Sequence, residues 1–189
     1  MSKNVAEEQK PFEIRNAALK DACCNYGYEL LTGPNKGDII PNRKGAHFIH
    51  EDLKNAFEEL EVFIAHMDGV FNSWANNQTA LSELEEKEAL GSYSLHSFKI
   101  VGVEENKGVI LYGEKYTANG RMPVETPKIK LEGTYLYIEE LNQRLDVAIY
   151  EVELYMDGKK APELEQTTLE FEPEHEEEQD DEFANAKVG

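Results

Sequence analysis

The chain has almost no cysteine, no long apolar run and half as many bases as acids, and each shortage removes a class of protein. Cys23 and Cys24 are the two cysteines in 189 residues. They are adjacent, and neighbours on an extended strand point to opposite faces, so no bridge between them is expected. A disulfide scaffold is excluded, and a reducing cytoplasm is the expected home. The opening Met-Ser-Lys-Asn-Val-Ala-Glu-Glu-Gln-Lys lacks the apolar core of a secretory signal. No stretch approaches the ~20 apolar residues of a membrane helix, so no membrane partner is expected. The phosphate-cradling patterns G-x-G-x-x-G and G-x-x-x-x-G-K-[ST] are absent. So are G-x-S-x-G and the kinase and cysteine-protease sets. The expectation is a non-enzymatic protein with no metal and no cofactor.

What is present in excess is negative charge. There are 38 acids against 19 bases, a net of −19. Residues 173–189 hold seven acids and one base, a net of −6, which leaves −13 on the other 172 residues. Broad adhesion to nucleic acid or an anionic membrane is disfavoured for the whole molecule, though not for a local basic face. Hydrophobic residues at 40% are ample for a core in a chain this long.

Residues 1–10 are polar and expected to be flexible, 11–172 to form one domain, and 173–189 to be an acidic disordered tail. Ala22, Cys24, Tyr26, Tyr28 and Leu30 alternate with polar neighbours, the period of a half-buried strand. Phe12–Leu19 reads as an earlier strand. Gly33–Gly37 is a turn, with extended pieces at Asp38–Ile40 and Ala46–Ile49. Leu53, Ala56, Phe57, Leu60, Phe63, Ile64 and Met67 recur at three- and four-residue steps, predicting one amphipathic helix of about five turns. Asp68-Gly69 ends it, and Val70 and Phe71 fold back over its last turn. Residues 72–79 read as a loop. Ser82 with Glu85 predicts a capping box on a short helix to Leu90. Tyr93–Val103, Gly108–Tyr116 and Met122–Leu131 read as strands, with a hairpin at Asn119-Gly120. Pro123 and Pro127 make the last of these an edge or bulged strand. Thr134 is expected to cap a second long helix, with its stripe from Ile138 to Met156, stopped by Asp157-Gly158 with Lys159 and Lys160 beyond. Gln166–Phe171 reads as a last short strand. The fold class is α+β, a largely antiparallel sheet packed by two long amphipathic helices.

Two clusters bear on chemistry. His47, His50, Glu51 and Asp52 have metal-ligating groups, but no Cys pair or third His stands near, so the reading adopted is a strand end with His50 as helix cap. The second cluster is the base-rich block Lys99, Lys107, Lys115, Arg121, Lys128 and Lys130, which holds six bases against four acids in an acidic chain. With Tyr112, Tyr116 and Trp74 it offers cations and stacking rings, the two ingredients of single-stranded nucleic-acid binding. Arg15, Lys20, Lys36, Arg43 and Lys44 are further bases in the N-terminal half.

Asp180-Asp181-Glu182-Phe183 resembles the acidic C-terminal tails of bacterial and phage single-stranded-DNA-binding proteins, except that Ala184–Gly189 follow the aromatic. That resemblance implies recruitment of replication partners and competition with DNA for the protein's own basic groove. The stretches Gly45–Phe57 and Gly108–Gly113 are similar to uncharacterised proteins of tailed phages and prophages, which implies a setting among recombination and replication genes and, for a phage-encoded chain, the host cytoplasm. The expected function is accordingly a phage-type accessory protein of DNA metabolism. It would bind single-stranded DNA through the central block and a replication or recombination protein through Asp180–Phe183. The alternative is an acidic interaction protein, a DNA mimic or inhibitor of a host factor, that binds a basic partner.

Overall fold

The computed structural model of the chain describes residues 10–71 and 79–162. The elements run β1 (Phe12–Lys20), β2 (Cys23–Leu30), β3 (Ile39–Arg43), α1 (Glu51–Glu58), α2 (Glu61–Met67), α3 (Leu81–Glu85), β4 (Tyr93–Val101), β5 (Gly108–Thr117), β6 (Gly120–Glu125), β7 (Ile129–Lys130) and α4 (Ile138–Met156). Single 3-10 turns occupy Glu88–Ser92 and Glu104–Asn106. The strands form one antiparallel sheet in the order β3-β2-β1-β4-β5-β6, with β7 paired to the start of β5. The fold is α+β.

Strand alternation sorts this sheet into two faces. Ala17 is opposite both Tyr26 and Phe98, and Phe98 is opposite Leu111; all four are buried. These positions define an inner face, and the helices lie on it. Phe57 of α1 packs on Phe98 with ring centroids 5.5 Å apart, and Tyr155 of α4 meets the edge of Tyr26 at 6.4 Å. α2 brings Ile64 over Gly113, where a side chain would find no room. Phe63, Leu145 and Val152 complete one continuous core. Truncating such a side chain to alanine costs about 2–5 kcal/mol. The two helical stretches are pinned to each other by Lys159, whose Nζ donates to Asp52 Oδ2 at 2.6 Å and Glu151 Oε2 at 2.7 Å.

The sequence expectations meet several corrections. The stripe from Leu53 to Met67 is one buried face but two helices, because the chain tightens at Glu59 and Leu60, where Leu60 N–H bonds to Phe57 O and Phe63 N–H to Leu60 O. Ala46–Ile49 is not a strand and contributes one isolated bridge, Phe48 to Cys23. Ser82 caps nothing: α3 starts after Ala80 without a side-chain cap. Thr134 likewise caps nothing, since α4 starts after Tyr137, whose hydroxyl is bonded to Thr79 O. Ala22 sits in the β1–β2 turn and not in the strand. Met122–Leu131 is split into β6 and β7 by Thr126 and Pro127. Other details stand as read. His50 caps α1 through Nδ1, Gly69 and Gly158 end helices at positive φ, and Phe71 is fully buried. The expectations for the N-terminus, for Trp74, for Gln166–Phe171 and for the tail lie outside the described residues.

Candidate nucleic-acid interface

The outer face of the sheet carries no helix among the described residues. Its positions follow from the same register. Asn16 is opposite Lys99, Lys99 opposite Ile110, Ser97 opposite Tyr112, and Tyr112 opposite Glu125. Glu114 and Pro123 form the next outward pair on β5 and β6, and Tyr116 and Arg121 the one after. Lys130 pairs with Gly108 while its neighbour Ile129 points into the core, so Lys130 is outward too. One uncovered surface therefore holds Lys99, Lys128, Lys130, Arg121, Tyr112 and Tyr116.

These six differ in how free they are. Lys99 and Lys130 are exposed and have no ion-pair partner among the described residues. The Arg121 guanidinium lies over the Tyr116 ring at 5.4 Å and 3.6 Å from Glu114. Tyr112 is half-buried beside Glu125; burial, reinforced by that carboxylate, raises its hydroxyl pKa above the ordinary value. Lys128 folds back onto Asn106 O and so serves the turn at Glu104–Asn106.

Two of the predicted bases are elsewhere. Lys115 is on the inner face at the end of α2. Its Nζ donates to Asp68 Oδ2 at 2.7 Å and stands 5.1 Å from the centroid of the Tyr93 ring, and the Tyr93 hydroxyl donates to the same Asp68 oxygen at 2.5 Å. The hydrogen bond to Asp68 holds the Lys115 ammonium above its usual pKa. Burial alone would raise the Asp68 carboxyl, but the bonds from Lys115 and Tyr93 outweigh it and hold it low. Lys107 immediately precedes β5 and is paired with Glu13.

Lys107 belongs to a chain of charges that the sequence did not reveal. Glu13 also faces Arg15 at 3.4 Å, and Arg15 directs both Nε and Nη2 at Glu29 Oε2, leaving Glu29 Oε1 with no partner among the described residues. The pairing is produced by an irregularity in β1 between Ile14 and Asn16, which shifts Arg15 relative to β2. Beside it is a groove of about 670 Å³ whose lining includes Arg15, Asn16, Glu29, Ile39, Lys99 and Val103. Ile39 and Val103 are 61% and 64% exposed, and nothing in their own sequence neighbourhoods marked them. Their convergence is a product of topology, since β3 and the β4–β5 connection are far apart in the chain.

Among the described residues no three His, Cys, Asp or Glu side chains are grouped as a metal site. His50 is occupied by the backbone N–H of Asp52, at 3.2 Å. Cys24 is buried and Cys23 partly so, both as free thiols, and burial pushes the Cys24 thiol up to about 12. No described helix is long and apolar enough to cross a membrane. Comparison of the chain with protein-family models, with curated proteins and with solved structures finds no match.

Proposed function

We propose that this chain is a phage-type accessory protein of DNA metabolism that holds single-stranded DNA on its open sheet face. Its acidic segment at Asp180–Phe183 would then recruit a replication or recombination protein. The observation that carries the reading is the grouping of Lys99, Lys130, Arg121, Tyr112 and Tyr116 on one uncovered antiparallel face. A flat sheet with outward rings gives every base a π-face to stack on, at about 1–3 kcal/mol per base. The neighbouring cations neutralise phosphates and make binding depend on salt.

The test is fluorescence anisotropy of a labelled single-stranded oligonucleotide with the full chain and with a chain ending at Glu172. Binding that tightens without the acidic segment and weakens with salt supports the reading. No binding by either chain at low salt removes it.

A second reading is favoured by one specific observation. Lys107, Lys115 and Arg121 are each engaged by an acid, which leaves few free cations on a chain of net charge −19. On that reading the chain is an acidic interaction protein for a basic partner, and it would ignore DNA while binding poly-lysine in a salt-sensitive way.

A further inference from the structure

The groove beside Lys99 has a chemistry of its own. Two of its lining residues, Ile39 and Val103, are apolar and largely exposed. Its lining includes Glu29, whose Oε2 takes both bonds from Arg15 and whose Oε1 has no hydrogen-bond partner among the described residues. Its rim holds one cation, Lys99, without a counter-charge among the described residues. An apolar slot, a lone anionic acceptor and a free ammonium together match a nucleotide: a ring, an amino group and a phosphate.

We infer that this groove is a base slot for single-stranded DNA, selective for bases that carry an exocyclic amino group. The inference rests on the DNA-binding reading proposed above and extends it from the tyrosines to β1 and β3. A ring lies between Ile39 and Val103, its amino N–H donates to Glu29 Oε1, and its phosphate meets Lys99. Lys99 joins the two halves of the face, because Tyr112 is opposite Ser97 and Lys99 is two residues along the same strand. Cytosine satisfies the slot, since its N4 amino group is the partner that carboxylates take in base readout. Thymine does not: its one Watson–Crick N–H is flanked by two carbonyl oxygens, which a carboxylate repels. Arg15 fixes the carboxylate in place, so the discrimination needs no rearrangement of the groove.

The experiment compares dC12 and dT12 by anisotropy at neutral pH and low salt, with the full chain and with an Ile39→Ser, Val103→Ser double variant. Both positions are exposed, so the variant retains the core. The expected result is that the unaltered chain binds dC12 at least about fivefold more tightly than dT12, the low end of a good base contact. The double variant should bind dC12 only as well as dT12, with dT12 affinity unchanged. Equal affinity for the two oligonucleotides, or a preference that survives the double variant, overturns the slot while leaving the DNA-binding reading in place. Binding of neither oligonucleotide overturns both.

Discussion

Asp21 and Ala22 carry the β1–β2 hairpin with φ of 52° and 62°. A two-residue loop that matches the twist of its strands needs positive φ at both positions. Asp tolerates this, but at Ala22 the Cβ crowds the following carbonyl, at about 1–2 kcal/mol. Glycine removes that crowding and gives back roughly 0.4–1 kcal/mol through a freer unfolded chain. Ala22→Gly is therefore predicted to stabilise the protein by about 0.5–1 kcal/mol, read as a higher urea midpoint; a lower midpoint would mean that the turn is unstrained. His66 offers a second test at this scale. Its ring is packed among Tyr135 and Tyr137, its Nδ1 is 3.0 Å from the Tyr135 hydroxyl, and burial lowers its pKa below the ordinary 6.5. A folded pKa below the unfolded one means that the unfolded chain takes up the proton first as pH falls. The stability that His66 contributes is complete above about pH 6.5 and is lost as pH drops through the folded value. Comparing the thermal midpoint of the protein with that of His66→Gln from pH 8 to pH 5 should show the two converging at the acid end. Parallel curves would remove His66 from the account.

At the scale of elements, the join between β6 and β7 shows how an edge strand survives two prolines. Residues 120, 122 and 124 of β6 face β5, so Pro123 lies on the free edge, where a missing N–H costs no ladder bond. At the break Thr126 is 3% exposed; its N–H donates to Leu111 O and its Oγ1 accepts from Leu111 N–H, both at 3.0 Å. The hydroxyl thus replaces the backbone acceptor that the break removes. Thr126→Val keeps the shape and leaves a buried N–H unpaired, at about 1–3 kcal/mol, while Thr126→Ser should keep the bond. Urea denaturation of the pair checks this, and equal losses in both would point to packing. The sequence indicated an edge or bulged strand here because proline's missing donor is written in the residue itself. It did not indicate the break at Glu59 and Leu60, because the apolar spacing runs through it unchanged and Leu60 remains buried. Ser82 and Thr134 failed as caps for a related reason: a capping residue is chosen by the path of the chain into the helix, and that path is set by tertiary contacts such as Tyr137 on Thr79. Of the candidate interface, period-two alternation was enough to group Tyr112 with Tyr116. The partners of Lys107 and Lys115 depend on register and on helix placement, which no local pattern contains.

For the whole molecule the question is how a chain of net −19 could attract a polyanion. Three of the six cations in the central block are already spent on acids, and Lys115 is turned to the face that the helices cover. The attraction must therefore come from very few groups, and long-range repulsion by the rest of the surface will oppose it at low ionic strength. This predicts a shallow salt dependence, and one that particular residues control. Each phosphate contact contributes about 0.7 to the slope of log affinity against log salt for a single strand. A Lys99→Gln, Lys130→Gln double variant should lose affinity and flatten that slope by about 1.4. Lys115→Gln should leave DNA affinity and slope unchanged, yet lower the urea midpoint, because Asp68 would lose the ion pair and hydrogen bond that hold its pKa low. Titration in 20 to 200 mM salt with the three proteins separates these outcomes. If Lys115→Gln weakens DNA binding as much as the double variant does, the inner end of the sheet is part of the binding surface and the open face is not its boundary. If neither changes the slope, the cations of the central block serve the fold alone, and the acidic surface becomes the feature that a partner reads.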